Sequence, residues 1–137
     1  MNITSKGRYA LRIMIDLAQN SEGYVSLKAV ADRQSISMKY LEMIAGNLKK
    51  YDLIESTRGK DGGYKLTKQP ADYTVLEILQ CVEDNLAPVA CIKGGQVECE
   101  NAGGCLTLGM WKELDEVTNN YLSTVTLDDL LTGNKWK

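Results

Sequence analysis

Hydrophobic residues recur at helical spacing along the first half of the chain. Between residues 5 and 19, apolar side chains fall at i, i+3, i+4, i+7 and i+8, which forms one continuous helix face. The same pattern predicts a short helix capped by Ser26 and a third helix capped by Ser37 that ends near Lys50. Only residues 34–36 separate these two helices. So short a link is typical of a helix-turn-helix motif.

The outer face of the third predicted helix carries long and hydrogen-bonding side chains. A helix that reads the major groove needs such side chains, because base edges are recognised through hydrogen bonds and apolar contacts. An ordinary αα-hairpin would also expose polar residues here, so this pattern alone leaves both interpretations open. The residues are Lys39, Tyr40, Glu42, Met43 and Asn47.

Two short strands, at 53–57 and 63–67, follow the third helix directly. The turn between them is rich in glycine and carries Arg58 and Lys60. A helix-turn-helix followed by a hairpin with a basic tip predicts a winged helix. The tip of such a wing can reach phosphates or the minor groove.

The second half of the chain has weaker patterns. The stretch 74–77 fits a capping box that opens a short helix, and residues 86–104 show no periodicity. An amphipathic helix with an apolar stripe over 110–122 follows, then a capped turn at 126–131 and a tail at 133–137 that we expect to fray. Because this half offers the stripe little to pack on, we expect part of it to contact a second subunit.

Three of the four cysteines lie in or beside the irregular segment, at Cys91, Cys99 and Cys105. Their spacing is neither the close pairing of zinc knuckles nor the tight run of bacterial ferredoxins. Thiolates suit iron–sulfur clusters, zinc or copper(I), and three of them leave one coordination position to fill. The sequence has no histidine, so imidazole is excluded as the fourth ligand. The remaining candidates for that position are a carboxylate, Cys81, a backbone or solvent ligand, or a group from a partner subunit. Buried or redox-active thiols are the alternative, and Cys81, on an apolar helix face, fits a small buried hydrophobic residue.

Charge and composition narrow the class of protein. The net charge of −2 divides into +5 for residues 1–68 and −7 for residues 69–137, so a polyanion could engage the first half. No apolar run is long enough to span a membrane and no signal peptide pattern is present, so we expect a cytoplasmic protein with reduced thiols. The absence of histidine, of a P-loop and of a dinucleotide or nucleophile motif argues against an enzyme.

Eight stretches of the sequence match a known family of proteins. They are TSKGRYAL at 4–11, VSL at 25–27, SMKYLE at 37–42, RGKDGGY at 58–64, LAPV at 86–89, CLT at 105–107, WKEL at 111–114 and TLDDL at 126–130. Through them the chain resembles the winged-helix transcription regulators typified by IscR, NsrR and CymR, over nearly its whole length.

The resemblance implies a mainly α-helical fold with a small β-hairpin. Residues 1–72 would form a winged helix-turn-helix DNA-binding domain, and residues 73–137 a cysteine loop with a long C-terminal dimerisation helix. The expected partners are a second copy of the chain and double-stranded operator DNA. Glu42 matches a family position that helps to select the operator class. The positions that match DNA contacts are Ser37, Lys39, Tyr40, Glu42 and Met43 in the reading helix and Arg58, Gly59 and Lys60 in the wing.

The resemblance also implies an iron–sulfur cluster on Cys91, Cys99 and Cys105, with 2Fe-2S favoured over 4Fe-4S, that modulates operator binding and is easily lost in air. The IscR and NsrR branches have this trio and the CymR branch lacks it. IscR has a histidine where this chain has Leu108, and NsrR-like proteins take an acidic ligand from the partner where this chain has Arg8. The fourth ligand, the signal and the choice between activator and repressor therefore stay open. A cluster-free regulator controlled by a protein partner is the alternative, and an iron–sulfur carrier that binds no DNA is a third hypothesis.

Overall fold

The computed structural model describes residues 3–89, 91–93, 96–97 and 102–137. Over these ranges the predicted fold class, mainly α-helical with a small β-hairpin, is confirmed. No helix in the described ranges is long and apolar enough to cross a membrane. In chain order the elements are α1 (Ser5–Gln19), α2 (Leu27–Gln34), α3 (Met38–Lys50), β1 (Ile54–Thr57), β2 (Gly63–Leu66), α4 (Val75–Val82), β3 (Ile92–Lys93), β4 (Gln96–Val97), α5 (Leu108–Thr124) and α6 (Leu127–Thr132), with 3-10 helices at Pro70–Asp72, Ala102–Gly104 and Asn134–Trp136.

Hydroxyl side chains define where the two helices of the helix-turn-helix begin. Ser26 Oγ accepts from the amide of Ala29 at 3.1 Å, and Ser37 Oγ accepts from the amide of Tyr40 at 3.3 Å. Each bond satisfies an amide that has no partner within the helix and contributes about 1 kcal/mol. The predicted starts of α2 and α3 are therefore confirmed.

The capping box expected at 74–77 is only half formed. Thr74 Oγ1 accepts from the amide of Glu77 at 3.1 Å, but the Glu77 carboxylate accepts from Lys68 Nζ at 3.0 Å. Because it pairs with Lys68, the Glu77 carboxylate does not accept from the backbone amide of Thr74, as it would in a complete capping box. A complete box forms instead at α6, between Thr126 and Asp129.

The second half of the chain closes over the core of the first. Ile78 of α4 and Leu127 of α6 belong to the same buried cluster as Ile13, Leu41 and other residues of α1 and α3. Backbone hydrogen bonds hold this closure, since the amide of Val75 donates to the carbonyl of Val125 at 2.8 Å and that of Leu127 to Tyr73 at 3.0 Å. The buried Tyr73 hydroxyl also donates to the carbonyl of Leu53 at 2.7 Å. The wing, α4 and α6 are thus tied to one core.

The segment after α4 contains a second hairpin that its sequence does not predict. β3 and β4 are antiparallel, with Ile92 opposite Val97 and Lys93 opposite Gln96. Ile92 is buried, and its carbonyl accepts from Asn85 Nδ2 at 3.2 Å. Strands of two residues are too short to show an alternating pattern.

The C-terminal tail also differs from the expectation. Residues 133–137, which we expected to fray, begin with Gly133 in the left-handed region at φ +67° and continue into a 3-10 helix. The Trp136 indole then donates to the Tyr121 hydroxyl at 3.3 Å, which returns the tail to α5.

Candidate nucleic-acid interface and cysteine segment

The outward face of α3 carries the side chains that the sequence assigns to DNA. Leu41, Ile44 and Leu48 on the other face are fully buried in the core, and this burial fixes the rotation of the helix. Lys39 and Glu42 are exposed, and Met43 is 42% exposed. A shallow depression of about 560 Å³ is lined by Ser37, Lys39, Tyr40 and Met43.

Tyr40 differs from its neighbours on this face, because α1 fixes its position. It is half-buried, its hydroxyl lies 2.9 Å from Ser5 Oγ, and its ring meets Tyr9 edge-on with centroids 5.5 Å apart. No local sequence pattern predicts the contact with Ser5, because it joins positions 35 residues apart. The first helix therefore helps to position a side chain on the outward face of α3.

A buried carboxylate fixes α2 against α1. Asp16 is 1% exposed and accepts from Arg33 at 3.0 and 2.7 Å and from Gln34 at 3.0 Å. Burial by itself raises the pKa of Asp16, but the hydrogen bonds from Arg33 and Gln34 and the charge of Arg33 outweigh it, so the pKa lies below its usual value. Arg12 strengthens the same junction by donating to the side chain of Gln34 at 3.1 Å.

The wing is anchored at its base by a third strand segment. The backbones of Val25 and Tyr64 exchange two hydrogen bonds of 2.8 Å, which adds the residue before α2 to the β1–β2 hairpin. Gly63 lies beside this pair with φ +154°, and a Cβ placed on it would lie 2.3 Å from the carbonyl oxygen of Val25. Only glycine allows so close an approach.

The tip of the wing presents its cations to solvent. Arg58, Gly59 and Lys60 are exposed, and the turn is closed by the amide of Gly62, which donates to the carbonyl of Gly59 at 3.1 Å. Among the residues that the structure describes, neither Arg58 nor Lys60 forms an ion pair. Lys39 of α3 has none within the same ranges either, so all three charges are available to phosphates.

Two of the three predicted cluster cysteines lie within the described residues. Cys91 is half-buried and Cys105 is exposed, while Cys99 lies outside the described residues. Cys105 Sγ lies 3.4 Å from Thr107 Oγ1, and hydrogen bonding to Thr107 lowers the pKa of Cys105 towards the thiolate that metals bind. Accessible thiols of this kind fit the soft donors of an iron–sulfur cluster. Across the described ranges, no three Cys, Asp or Glu side chains lie close enough together to hold a metal ion.

Cys81 has the environment of a structural thiol. Its Sγ donates to the carbonyl of Glu77 at 3.3 Å, and it packs against the main buried cluster. Burial, with a smaller effect of the Glu77 carboxylate, raises the pKa of Cys81 to about 11. Burial therefore opposes the thiolate form that a metal ligand needs, so Cys81 is less suited to the fourth position than an accessible group.

Helix α5 has two apolar faces, and within the described part of the chain only one of them is covered. Leu122 packs inward against a small cluster that includes Leu86 and Val125. The stripe predicted over 110–122 is therefore divided between the two faces. Large side chains 38–58% exposed recur on the outer face at helical spacing, at Met110, Leu114, Val117 and Tyr121.

Comparison with known proteins agrees with this architecture. Residues 3–133 match the family described as "Rrf2: Iron-dependent Transcriptional regulator". The chain is 39% identical over 137 residues to the HTH-type transcriptional regulator IscR of Klebsiella pneumoniae strain 342, an alignment that covers 98% of this chain and 82% of that protein. Such relatives are regulators of transcription, as expected for a chain without catalytic motifs.

Solved structures show the same fold with similar identity. CymR (YrzC), the global cysteine regulator of B. subtilis, has a TM-score of 0.78 and 33% identity, covering 96% of this chain and 97% of that one. T. potens IscR has a TM-score of 0.77 and 32% identity, covering 98% of this chain and 88% of that one. The two likenesses are nearly equal, so the fold alone does not separate an IscR-like from a CymR-like protein.

Proposed function

The chain belongs to the Rrf2 family of transcriptional regulators, and from this premise we propose that it is a homodimeric DNA-binding regulator whose operator affinity depends on an iron–sulfur cluster. The observation that carries the proposal is the exposed face of α3 next to a wing whose tip cations, Arg58 and Lys60, form no ion pair within the described residues. We assign this function to the cytoplasm, where thiols are kept reduced.

The reading surface divides into phosphate and base contacts. Lys39 of α3, with Arg58 and Lys60 in the wing, carries positive charge that suits phosphates and the minor groove. Glu42 can accept a hydrogen bond from the amino group of cytosine, and Met43 offers apolar contact to a thymine methyl. Because a carboxylate also repels phosphate, Glu42 would restrict the set of accepted sequences.

The exposed apolar face of α5 supports the homodimer. A symmetric pair of these helices would remove Leu114, Val117 and Tyr121 from water in both subunits. The two reading helices would then meet half-sites about 34 Å apart on a near-palindromic operator.

We assign the cluster to Cys91, Cys99 and Cys105, as a 2Fe-2S centre whose fourth ligand is not assigned. When bound, it would supply a redox-active or ligand-sensitive iron centre. The residues of the chain hold the segment that carries Cys91, since Asn85 fixes the carbonyl of the neighbouring Ile92. Gain or loss of the cluster can change the operator affinity only if the cluster binds two states of this segment with different free energies. The change in affinity cannot exceed that difference.

The test begins with anaerobic purification and selection of bound duplexes from a random-sequence DNA library. Absorbance with matching iron and sulfide, together with an operator affinity that changes when the cluster is removed, is the expected result. Cys91→Ala should lose the iron, whereas Cys81→Ala should keep it, because Cys81 is structural. Arg58→Ala should weaken binding by about 1–3 kcal/mol, while Lys135→Ala, an equal loss of charge on the tail, should leave it unchanged.

Control by a protein partner is the second candidate function. It is supported by the structural likeness to CymR, which is as close as the likeness to IscR. Colourless anaerobic protein that still selects an operator would rule out the cluster and favour this candidate. Iron and sulfide in a protein that selects no duplex would leave only an iron–sulfur carrier.

A further inference from the structure

We propose that Glu83 and Ser5 are positioning residues for Tyr40: Glu83 fixes the first turn of α1, and Ser5 on that turn orients the Tyr40 hydroxyl for DNA. The proposal rests on the DNA-binding function proposed for α3. It concerns contacts that no local sequence pattern predicts, because they join distant parts of the chain.

Glu83, the residue directly after α4, holds the start of α1 through a single carboxylate oxygen. Glu83 Oε1 accepts from the amide of Thr4 at 2.8 Å, from Thr4 Oγ1 at 2.8 Å and from the amide of Gly7 at 3.0 Å. The first amides of a helix have no partners within it, and negative charge at this end is favourable. One side chain thus satisfies two backbone donors and fixes the turn on which Ser5 lies.

Gly7 shows how closely the two helices meet at this contact. A Cβ on Gly7 would lie 2.4 Å from Glu83 Oε1 and 3.0 Å from the side chains of Ile3 and Leu79. Any larger residue must therefore displace the carboxylate from its three donors. This gives a second way to break the contact, from the side of α1, without changing Glu83.

The link from α1 to the reading helix is the Ser5–Tyr40 pair, with 2.9 Å between its oxygens. A tyrosine hydroxyl has one proton to donate. When Ser5 donates to the Tyr40 oxygen, that proton is left for a phosphate or base acceptor on the DNA. Without Ser5 the hydroxyl has no fixed direction, and part of the contact is lost.

The same carboxylate lies close in sequence to the cysteine segment. Two residues after Glu83, Asn85 accepts from the amide of Ala87 at 2.9 Å and donates to the carbonyl of Ile92 at 3.2 Å. Ile92 directly follows Cys91. Glu83 therefore stands between the cysteine segment and the turn that orients Tyr40.

A double-mutant cycle on Ser5 and Tyr40 tests the last step. The probe is the duplex that the wild-type chain selects from a random library, with affinity measured by fluorescence anisotropy. Ser5→Ala should weaken binding about fivefold in the wild-type background and less than about twofold in Tyr40→Phe, the size expected for one hydrogen bond. An equal loss in both backgrounds would mean that Ser5 acts only through helix stability, and would overturn the proposal.

The first step is tested by a cycle between Glu83 and Tyr40. Glu83→Ala should weaken binding about tenfold, and this loss should disappear in Tyr40→Phe. Glu83→Gln, which keeps an acceptor oxygen, should recover part of the affinity, and Asp84→Ala, the exposed neighbouring carboxylate, should change it less than about twofold. Gly7→Ala should reproduce the loss if Glu83→Ala does not fold.

The outcomes separate the two proposals. Sequence-selective binding that survives Glu83→Ala, Gly7→Ala and Ser5→Ala unchanged would overturn the positioning role and leave the proposed function intact. A wild-type chain that selects no duplex would overturn the proposed function, and the positioning role with it.

Discussion

At the scale of single residues, Asp16 is the clearest case of a buried charge that needs its partners. Removing its charge by Asp16→Asn leaves Arg33 without its carboxylate and should lower the free energy of unfolding by about 2 kcal/mol. Urea denaturation at pH 7 measures this loss. Asp32→Asn breaks an exposed pair with Lys28, whose atoms are 3.5 Å apart, and should cost less than about 0.5 kcal/mol.

The pH dependence of this contribution follows from the direction of the pKa shift. Because the pKa of Asp16 is lowered on folding, its contribution is complete above the unfolded value of about 4 and is lost as the pH falls through the folded value. The stability difference between the wild type and Asp16→Asn should therefore stay constant from about pH 7 to 5 and shrink below about pH 4. A difference that instead shrank towards alkaline pH would contradict the assigned sign.

At the scale of an element, the wing depends on glycine at its base more than at its tip. Gly63→Ala places a Cβ against the backbone of Val25 and should cost about 2–3 kcal/mol, with loss of the third strand segment. Gly59→Ala has the same kind of backbone, at φ +111°, but meets open space, and should cost only about 1 kcal/mol. Thermal unfolding and hydrogen exchange at the Val25 amide distinguish the two.

The elements also show where sequence patterns stop being informative. Ser26, Ser37 and Thr126 act within three residues of their own positions, so the helix starts and the two wing strands are readable from the sequence. The Val25–Tyr64 pair and the Glu83 contact join residues far apart, and no local pattern encodes them. The capping box predicted at Thr74 is incomplete for the same reason, because the Glu77 carboxylate binds Lys68, which lies outside the helix. The candidate DNA contacts remain predictions, although the burial of the inner face of α3 explains why they point outward.

At the scale of the whole molecule, the uncovered face of α5 predicts the assembly state. Val117→Lys places a charge in the centre of the exposed stripe and should give a monomer of 15.2 kDa in sedimentation velocity. Operator affinity should then fall about 100-fold or more, because each half-site is bound separately. Glu116→Lys introduces the same side chain one position away, off the stripe, and should leave the dimer intact. A wild-type chain that sediments as a monomer would refute the homodimer.

The burial of Leu127 among residues of α1 and α3 has a consequence for how the protein is made. During synthesis the N-terminal helices leave the ribosome first, but the core that they share lacks Ile78, Val82 and Leu127 until the later segments emerge. Contacts between sequence-distant segments form late, because the intervening chain must first be closed. The nascent helix-turn-helix should therefore gain its full stability only when α6 has left the ribosome, which delays DNA binding until α5 has also been made.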